Sequence, residues 1–310
     1  MAQVDVLMAV YNAMPYLPEA VDSILTQTFQ DFKFLIINDG SEDGSEEYLN
    51  QLDDPRVHLV HRPHQGRSAA RNFGLAMCDG EFIAIMDSDD VALPTRLEAQ
   101  LNFLRCHREV GLVGTQYEYL GLGGRRGFSP PLPCDHETIY ATLLRRPAGM
   151  INATIMCRTS VLKRIAGSSI DANGEDWDRM FLRMGEVTRL ANLKEVLYRQ
   201  RLHSNSIMAT KLAEIWMQHA YASDCAERRG EGQPEITFDE FLIQQRARPF
   251  WRQTLEVMDC YAFGQYRRAV AEILSPHWAV GYARLAWAAL SSPRLTSQRV
   301  SRAIRKRWMT

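Results

Sequence analysis

The sequence predicts an α/β fold with a mostly parallel central sheet, followed by a helical carboxyl-terminal region. Three observations carry this expectation. Short apolar runs alternate with helical spacings through the first third of the chain, and most runs end in polar, turn-forming residues. From about Lys211 onward the apolar spacing is almost wholly helical. Apolar strands separated by helices imply a sheet covered on both faces.

In order, "VDVLMAVY" (Val4 to Tyr11) reads as a strand, and Leu17, Val21, Ile24 and Leu25 follow at helical spacing. "FKFLII" (Phe32 to Ile37) is a second strand ending in the turn-rich "NDGSEDGS". A short helix over Glu46 to Leu52 leads to a third strand, Arg56 to His61. A helix over Ser68 to Cys78 leads to a fourth strand, Phe82 to Met86. Beyond Pro94 a helix (Thr95 to Cys106) and a strand near Gly111 to Gly114 are expected. The Gly- and Pro-rich stretch Gly121 to Pro133 reads as a mobile surface loop. A domain change is placed near residues 206–212, separating a catalytic part, 1–206, from a helical part, 207–310. No internal repeat is evident.

The chain has 310 residues, 46% hydrophobic and 24% charged, with a formal net charge of −1. That balance gives no reason to expect nucleic-acid binding. Six cysteines lie far apart with no C-x-x-C spacing, as in a cytoplasmic protein with reduced thiols. The opening "MAQVDVLMAVYN" lacks the basic start of a secretory leader, and no stretch approaches the ~20 apolar residues of a membrane-spanning helix.

The residues that carry chemistry cluster where strands end, the place where open α/β sheets bind ligands. In "FIAIMDSDDVALP", Asp87, Asp89 and Asp90 crowd together behind a buried strand. Like charges that close need an offset: solvent, a basic neighbour or a bound cation. A solvated turn capping the next helix accounts for the cluster, and so does a Mg²⁺ or Mn²⁺ site built from hard oxygen ligands. Asp39, in "IINDGSEDGS", suits a turn and equally suits a carboxylate that accepts hydrogen bonds from a nucleobase edge. Arg71, in "GRSAARNFG", is a helix-surface charge or a phosphate-facing arginine. Glu175, Asp176 and Asp178 precede a helical run, where acids complement the helix dipole; a carboxylate beside a second acid can also serve as a general base. His203, in "LYRQRLHSNS", is a structural histidine or a ligand.

Six blocks, "MAVYN", "INDGSEDGS", "GRSAARNFGLA", "FIAIMDSDD" with "PTRLEAQ", "GEDWDRMFLRM" and "LYRQRLHSNS", occur in the order in which the family 2 glycosyltransferases carry theirs. Residues 4–206 thus resemble that family of inverting enzymes with the GT-A nucleotide-diphospho-sugar transferase fold, in particular its non-processive bacterial members that build cell-surface polysaccharides. The resemblance implies that Ala9 and Tyr11 line the nucleotide pocket and that Asp39 reads the base. It implies that Arg71 supports base or phosphate binding, that Asp87 and Ser88 approach the ribose, and that Asp89 binds Mn²⁺ or Mg²⁺ at the diphosphate. His203 joins the metal or diphosphate, and Asp176 is the catalytic base with Glu175 beside it. The implied donor is a nucleotide sugar, a UDP-sugar first among them, and the acceptor a saccharide or lipid-linked saccharide reached through residues Gly121 to Asn152.

Processive members carry Q-x-x-R-W and membrane spans. Here "IRKRW" (Ile304 to Trp308) has isoleucine in place of glutamine, so single-sugar transfer is expected. Two rivals remain: a nucleotidyltransferase that makes sugar nucleotides, which would carry a Gly-rich triphosphate loop after the first strand, and a non-catalytic sugar- or nucleotide-binding module. In the tail, Val300, Ile304 and Trp308 recur every four positions amid Arg294, Arg299, Arg302, Arg305, Lys306 and Arg307. Residues 294–308 therefore suit either a docked terminal helix or a cationic helix lying on an anionic membrane, consistent with an enzyme at the inner face of the plasma membrane.

Overall fold

The computed structural model describes residues 2–121, 124–145, 149–166, 177–202 and 212–247, with residues 269, 270, 281, 283, 284 and 286–288. Glu175, Asp176, His203 and the basic tail lie outside the described residues.

The parallel part of the sheet comes from four strands: β1 (Val4–Val10), β2 (Phe32–Asn38), β3 (Val57–His61) and β4 (Phe82–Asp87). Helices α1 (Leu17–Leu25), α2 (Ser45–Leu49) and α3 (Arg67–Met77) connect them. Nearly every side chain in β1, β2 and β4 is buried, the pattern of strands covered on both faces. Each such aliphatic side chain contributes about 1.5–3 kcal/mol, which makes this slab a firm base for charged groups at its rim.

Beyond β4 come β5 (Val91–Ala92), α4 (Arg96–Cys106), β6 (Val110–Leu120), β7 (Arg126–Phe128) and α5 (His136–Leu143). They are followed by β8 (Met156–Arg158), α6 (Thr159–Ala166), α7 (Trp177–Val187) and β9 (Arg189–Arg201). The strand order is β3-β2-β1-β4-β8-β6-β9-β5, with β7 paired to β6. β4–β8, β6–β8, β6–β7 and β5–β9 are antiparallel pairs, so the sheet is parallel at one side and antiparallel at the other.

Two local expectations change. The strand expected near Gly111 to Gly114 runs on to Leu120, and the stretch expected to be a loop contains β7, hairpinned onto β6 at Glu118–Phe128, Tyr119–Gly127 and Leu120–Arg126. The extension was hidden because a polar side chain sits in its core-facing run. Gln116 is buried, donating to the Leu132 and Leu193 carbonyls at 3.2 Å each and accepting the Leu132 N–H at 2.7 Å.

The chain divides into two compact units, Met1–Tyr117 with Leu132–Gln200, and Glu118–Pro131 with Arg201–Thr310. In the second unit α8 (Leu212–Gly230) and α9 (Phe238–Arg246) share a small core of Tyr221, Cys225 and Phe241. A capping box at Thr237 and Glu240 starts α9. No helix among the described residues is long and apolar enough to cross a membrane.

Candidate active site

The order β2-β1-β4 means that the chain leaves β1 toward one side of the sheet and later returns on the other, opening a crevice at the carboxyl ends of β1 and β4. Register places Ala9 beside Ile37 on one side and Asp87 on the other. Tyr11 and Asp39 follow directly on β1 and β2, and the Asp39 N–H donates to the Val10 carbonyl at 2.9 Å. Five residues expected to bind the nucleotide, Ala9, Tyr11, Asp39, Arg71 and Asp87, are therefore brought to one rim, with Ser88 and Asp89 in the turn that follows β4.

Asp39 is 1% exposed. Its carboxylate accepts the Gly66 N–H at 2.8 Å and the Gln65 N–H at 3.2 Å. Gly66 precedes α3 at φ +92°, a left-handed conformation that glycine takes without steric cost, and so ties the start of that helix to Asp39. His64 Nδ1 lies 2.9 Å from Asp39 Oδ2 and 3.1 Å from the Asp39 carbonyl oxygen. Both neighbours are acceptors, so Nδ1 carries the proton. The His64 ring stacks on Tyr11, centroids 3.8 Å apart and planes 22° from parallel.

Arg71 reaches the rim from α3, which lies close to the sheet at Gly74: a Cβ there would sit 2.3 Å from Leu7 Cδ1. The Arg71 guanidinium, 4% exposed, forms an ion pair with Asp87. Burial pulls its pKa down to about 10 against the opposing charge of Asp87, so it stays cationic at neutral pH.

Asp87, Asp89 and Asp90 each offer a carboxylate oxygen within 4.8 Å of the others. Unit charges at that separation repel by roughly 3–4 kcal/mol per pair at an effective dielectric of about 20. Arg71 offsets part of this from one side, and a second arginine offsets it from beneath. Arg96, on α4, is fully buried, and among the described residues no carboxylate lies within ion-pair distance of it. Its guanidinium donates to the Ile85 carbonyl at 2.7 Å, the Ile155 carbonyl at 3.3 Å and Gln100 Oε1 at 3.1 Å. It also lies 5.0 Å over the ring of Tyr198, a fully buried residue delivered by the β5–β9 pairing. The Tyr198 hydroxyl oxygen receives the Asp87 N–H at 3.5 Å. Burial lowers the Arg96 pKa to about 10, opposed by the nearby Tyr198 hydroxyl oxygen and the charges of Asp87 and Asp90. Burial, then the charges of Asp90 and Asp87, push the Tyr198 hydroxyl well above its usual value, so it is a neutral phenol.

The loop after β1 is closed to phosphate. Its successive N–H groups at Asn12, Ala13 and Met14 donate to Ser41 Oγ at 3.0 Å, Ser45 Oγ at 3.0 Å and Asp43 Oδ2 at 2.8 Å. Asn12 takes φ +49°, and its side-chain oxygen accepts the Glu42 N–H at 2.8 Å. A nucleotidyltransferase would need such backbone donors for a triphosphate.

Sequence reasoning assigned no role to Arg96, Gln100, Tyr198 or His64. For the first two a signal was present: Arg96 and Gln100 stand four apart in "PTRLEAQ", on one face of α4. Tyr198 belongs to the quoted "LYRQRLHSNS". For His64 the sequence offers no sign.

The sequence profile of Glycosyl transferase family 2 matches residues 5–166. The chain belongs to glycosyltransferase family 2. An uncharacterized glycosyltransferase of Haemophilus influenzae is 42% identical over 164 residues, 52% of this chain and 64% of that protein, just under two thirds of its length. The Escherichia coli protein named UDP-Glc:alpha-D-GlcNAc-diphosphoundecaprenol beta-1,3-glucosyltransferase WfaP is 27% identical over 219 residues, 70% of this chain and 84% of that one. In fold, the crystal structure of Staphylococcus aureus TarS 1-349 in complex with UDP-GlcNAc superposes with a TM-score of 0.55 at 16% identity, covering 91% of this chain and 88% of that one. This family 2 glycosyltransferase is thus a transferase enzyme with a GT-A fold.

Proposed function

We propose that the enzyme moves one sugar, with inversion, from a UDP-sugar to a hydroxyl of a saccharide or lipid-linked saccharide acceptor, aided by Mn²⁺ or Mg²⁺. The observation that carries this is the meeting, at one sheet switch point, of Tyr11 and Asp39 with the Arg71–Asp87 pair and the aspartate cluster. A nucleotide laid along that rim puts its base by Tyr11 and Asp39, its ribose by Ala9, Asp87 and Ser88, and its diphosphate by Asp89. The WfaP name supports both a UDP-linked donor and a lipid diphosphate-linked acceptor.

Three carboxylate oxygens within 4.8 Å fit a hard divalent cation, with Asp89 assigned as its principal ligand and His203 as a further one. Bound there, the cation supplies positive charge at the donor's diphosphate. Arg71 adds fixed positive charge on the same side, and Arg96 and Tyr198 hold the Asp87 end of β4 from below. Asp176 is assigned the general base that takes the acceptor hydroxyl's proton, with Glu175 its neighbour. A single carboxylate base without a protein nucleophile gives one displacement, hence inversion. The catalytic part is assigned to residues 1–206 and the helical part to 207–310, with 294–308 as a peripheral contact to the inner face of the plasma membrane.

The closed loop after β1 counts against the nucleotidyltransferase alternative, and the charged, partly exposed cluster counts against a mere binding module. The test is release of nucleoside diphosphate from a panel of UDP-, GDP- and dTDP-sugars, with and without Mn²⁺. Mn²⁺-dependent UDP release is expected; release of pyrophosphate, or none from any sugar nucleotide, would overturn the proposal.

A further inference from the structure

His64 covers two features of the base subsite at once. Its ring lies flat on Tyr11 with centroids 3.8 Å apart, which leaves no room for a second ring between them. Its Nδ1–H donates to Asp39 Oδ2 at 2.9 Å. Asp39 is 1% exposed, and its carboxylate also accepts the Gln65 and Gly66 backbone N–H groups. Yet His64 is 48% exposed along its side chain and Tyr11 is 45% exposed, so the imidazole sits at the mouth of the crevice rather than in packed core. A flat ring on an aromatic face, giving an N–H to a buried carboxylate, is also what a nucleobase with a ring N–H would be in that place.

We infer that His64 is an internal occupant of the nucleobase subsite, a ring that the donor's base displaces from Tyr11 and Asp39 in order to bind. The inference rests on the proposed donor site and goes beyond it. One swing of His64 into solvent uncovers the Tyr11 face and the Asp39 carboxylate together. The incoming base then replaces both lost contacts, so Asp39 is not left buried without its side-chain partner. Because the imidazole occupies the subsite in the free enzyme, the cost of displacing it lowers the affinity of every nucleotide by the same factor. The residue therefore sets the affinity threshold for donors without choosing among bases; that choice belongs to the contacts made after it leaves.

The experiment is calorimetric titration of UDP and of CDP, with Mn²⁺ present, into the wild-type enzyme, the His64→Ala and Asp39→Asn variants and the variant carrying both. The expected result is that His64→Ala binds UDP about threefold to tenfold more tightly. CDP should gain by the same factor, leaving the UDP-to-CDP ratio unchanged. Weaker UDP binding in His64→Ala would overturn the inference by making the imidazole a wall of the pocket, and unchanged binding would overturn it by showing that the base does not displace His64. Asp39→Asn separates this failure from that of the donor site itself. If it weakens UDP while His64→Ala does not strengthen it, the inference about His64 fails and the donor site stands. If Asp39→Asn added to His64→Ala, where no imidazole competes for the carboxylate, leaves UDP affinity unaltered, the base subsite lies elsewhere and both fall.

Discussion

At the amino ends of β1 and β2 the fully buried Asp5 accepts the N–H groups of Asp79 at 2.7 Å and Gly80 at 2.9 Å, and lies 3.3 Å from Lys33 Nζ. Lys33 also pairs with Asp79 at 2.5 Å. At the carboxyl ends of the same slab, three carboxylates crowd together, two of them partly exposed, with arginines beside and beneath them. Both rims place aspartates near buried apolar strands. At the first, the partners come from the loop before β4 and from β2, and the charges close on one another. At the second, Arg71 pairs with Asp87 from one side while Arg96 is held by carbonyls and a ring, and two of the three carboxylates stay partly exposed. A closed knot stabilises; an open cluster with a cationic floor is equipped to receive something. Burial alone does not separate the two, since Asp5 and Asp90 are both nearly inaccessible.

The largest effect expected from breaking this contrast is at Asp89. Asp89→Ala should reduce Mn²⁺-dependent turnover to background while uridine binding changes little. Steady-state assays across a Mn²⁺ series would check it, and turnover with ordinary metal dependence would remove Asp89 from the site. Next comes Asp176→Asn, expected to cut transfer by ~10²-fold or more while donor affinity holds, because the amide keeps the shape but cannot take the proton. A collapse of donor affinity would transfer the base role to Glu175 or Asp178.

On the other rim the order of effects reverses. Asp5→Ala removes an acceptor from two N–H groups and a counter-charge from Lys33, and should cost about 3 kcal/mol of stability in urea denaturation. The Michaelis constant of the folded variant for its donor should be unaltered. A changed donor constant would mean that the two rims are coupled. Smallest is the acid response of the loop after β1. Burial would raise the Asp43 pKa, but hydrogen bonds from Ser45 and the Met14 N–H outweigh it and hold the carboxyl below 3.8. A depressed folded value means that its stabilisation is present above the unfolded value and is lost as pH falls through the folded one. Amide exchange at Met14 and Ser45 should therefore quicken only below about pH 4, the ordinary aspartate range.

Much of the carboxyl-end rim was legible because strand ends are punctuated by turn chemistry. Asp39 and Asp87 stand where an apolar run stops, and a parallel sheet brings such stops together. The offset for the aspartates was not legible. Arg96 lies nine residues beyond Asp87 on a helix and is satisfied by the carbonyls of Ile85 and Ile155, partners far apart in the chain. The same holds for Gln116, whose amide is satisfied by residues from two other segments. A buried polar side chain reads as a surface residue until its distant partners are known, which is why β6 looked short and Arg96 drew no assigned role.

The three bonds that close the loop after β1 have a consequence for how a donor is met. They tie Asn12, Ala13 and Met14 to Ser41, Ser45 and Asp43, so the chain leaving β1 and the chain leaving β2 are fastened together beyond the sheet. The backbone around Tyr11 and Asp39 is accordingly ordered when the chain folds, and its conformational entropy is already lost before any ligand arrives. Association then requires little further ordering of main chain on this side of the crevice, and more of the contact energy appears as affinity.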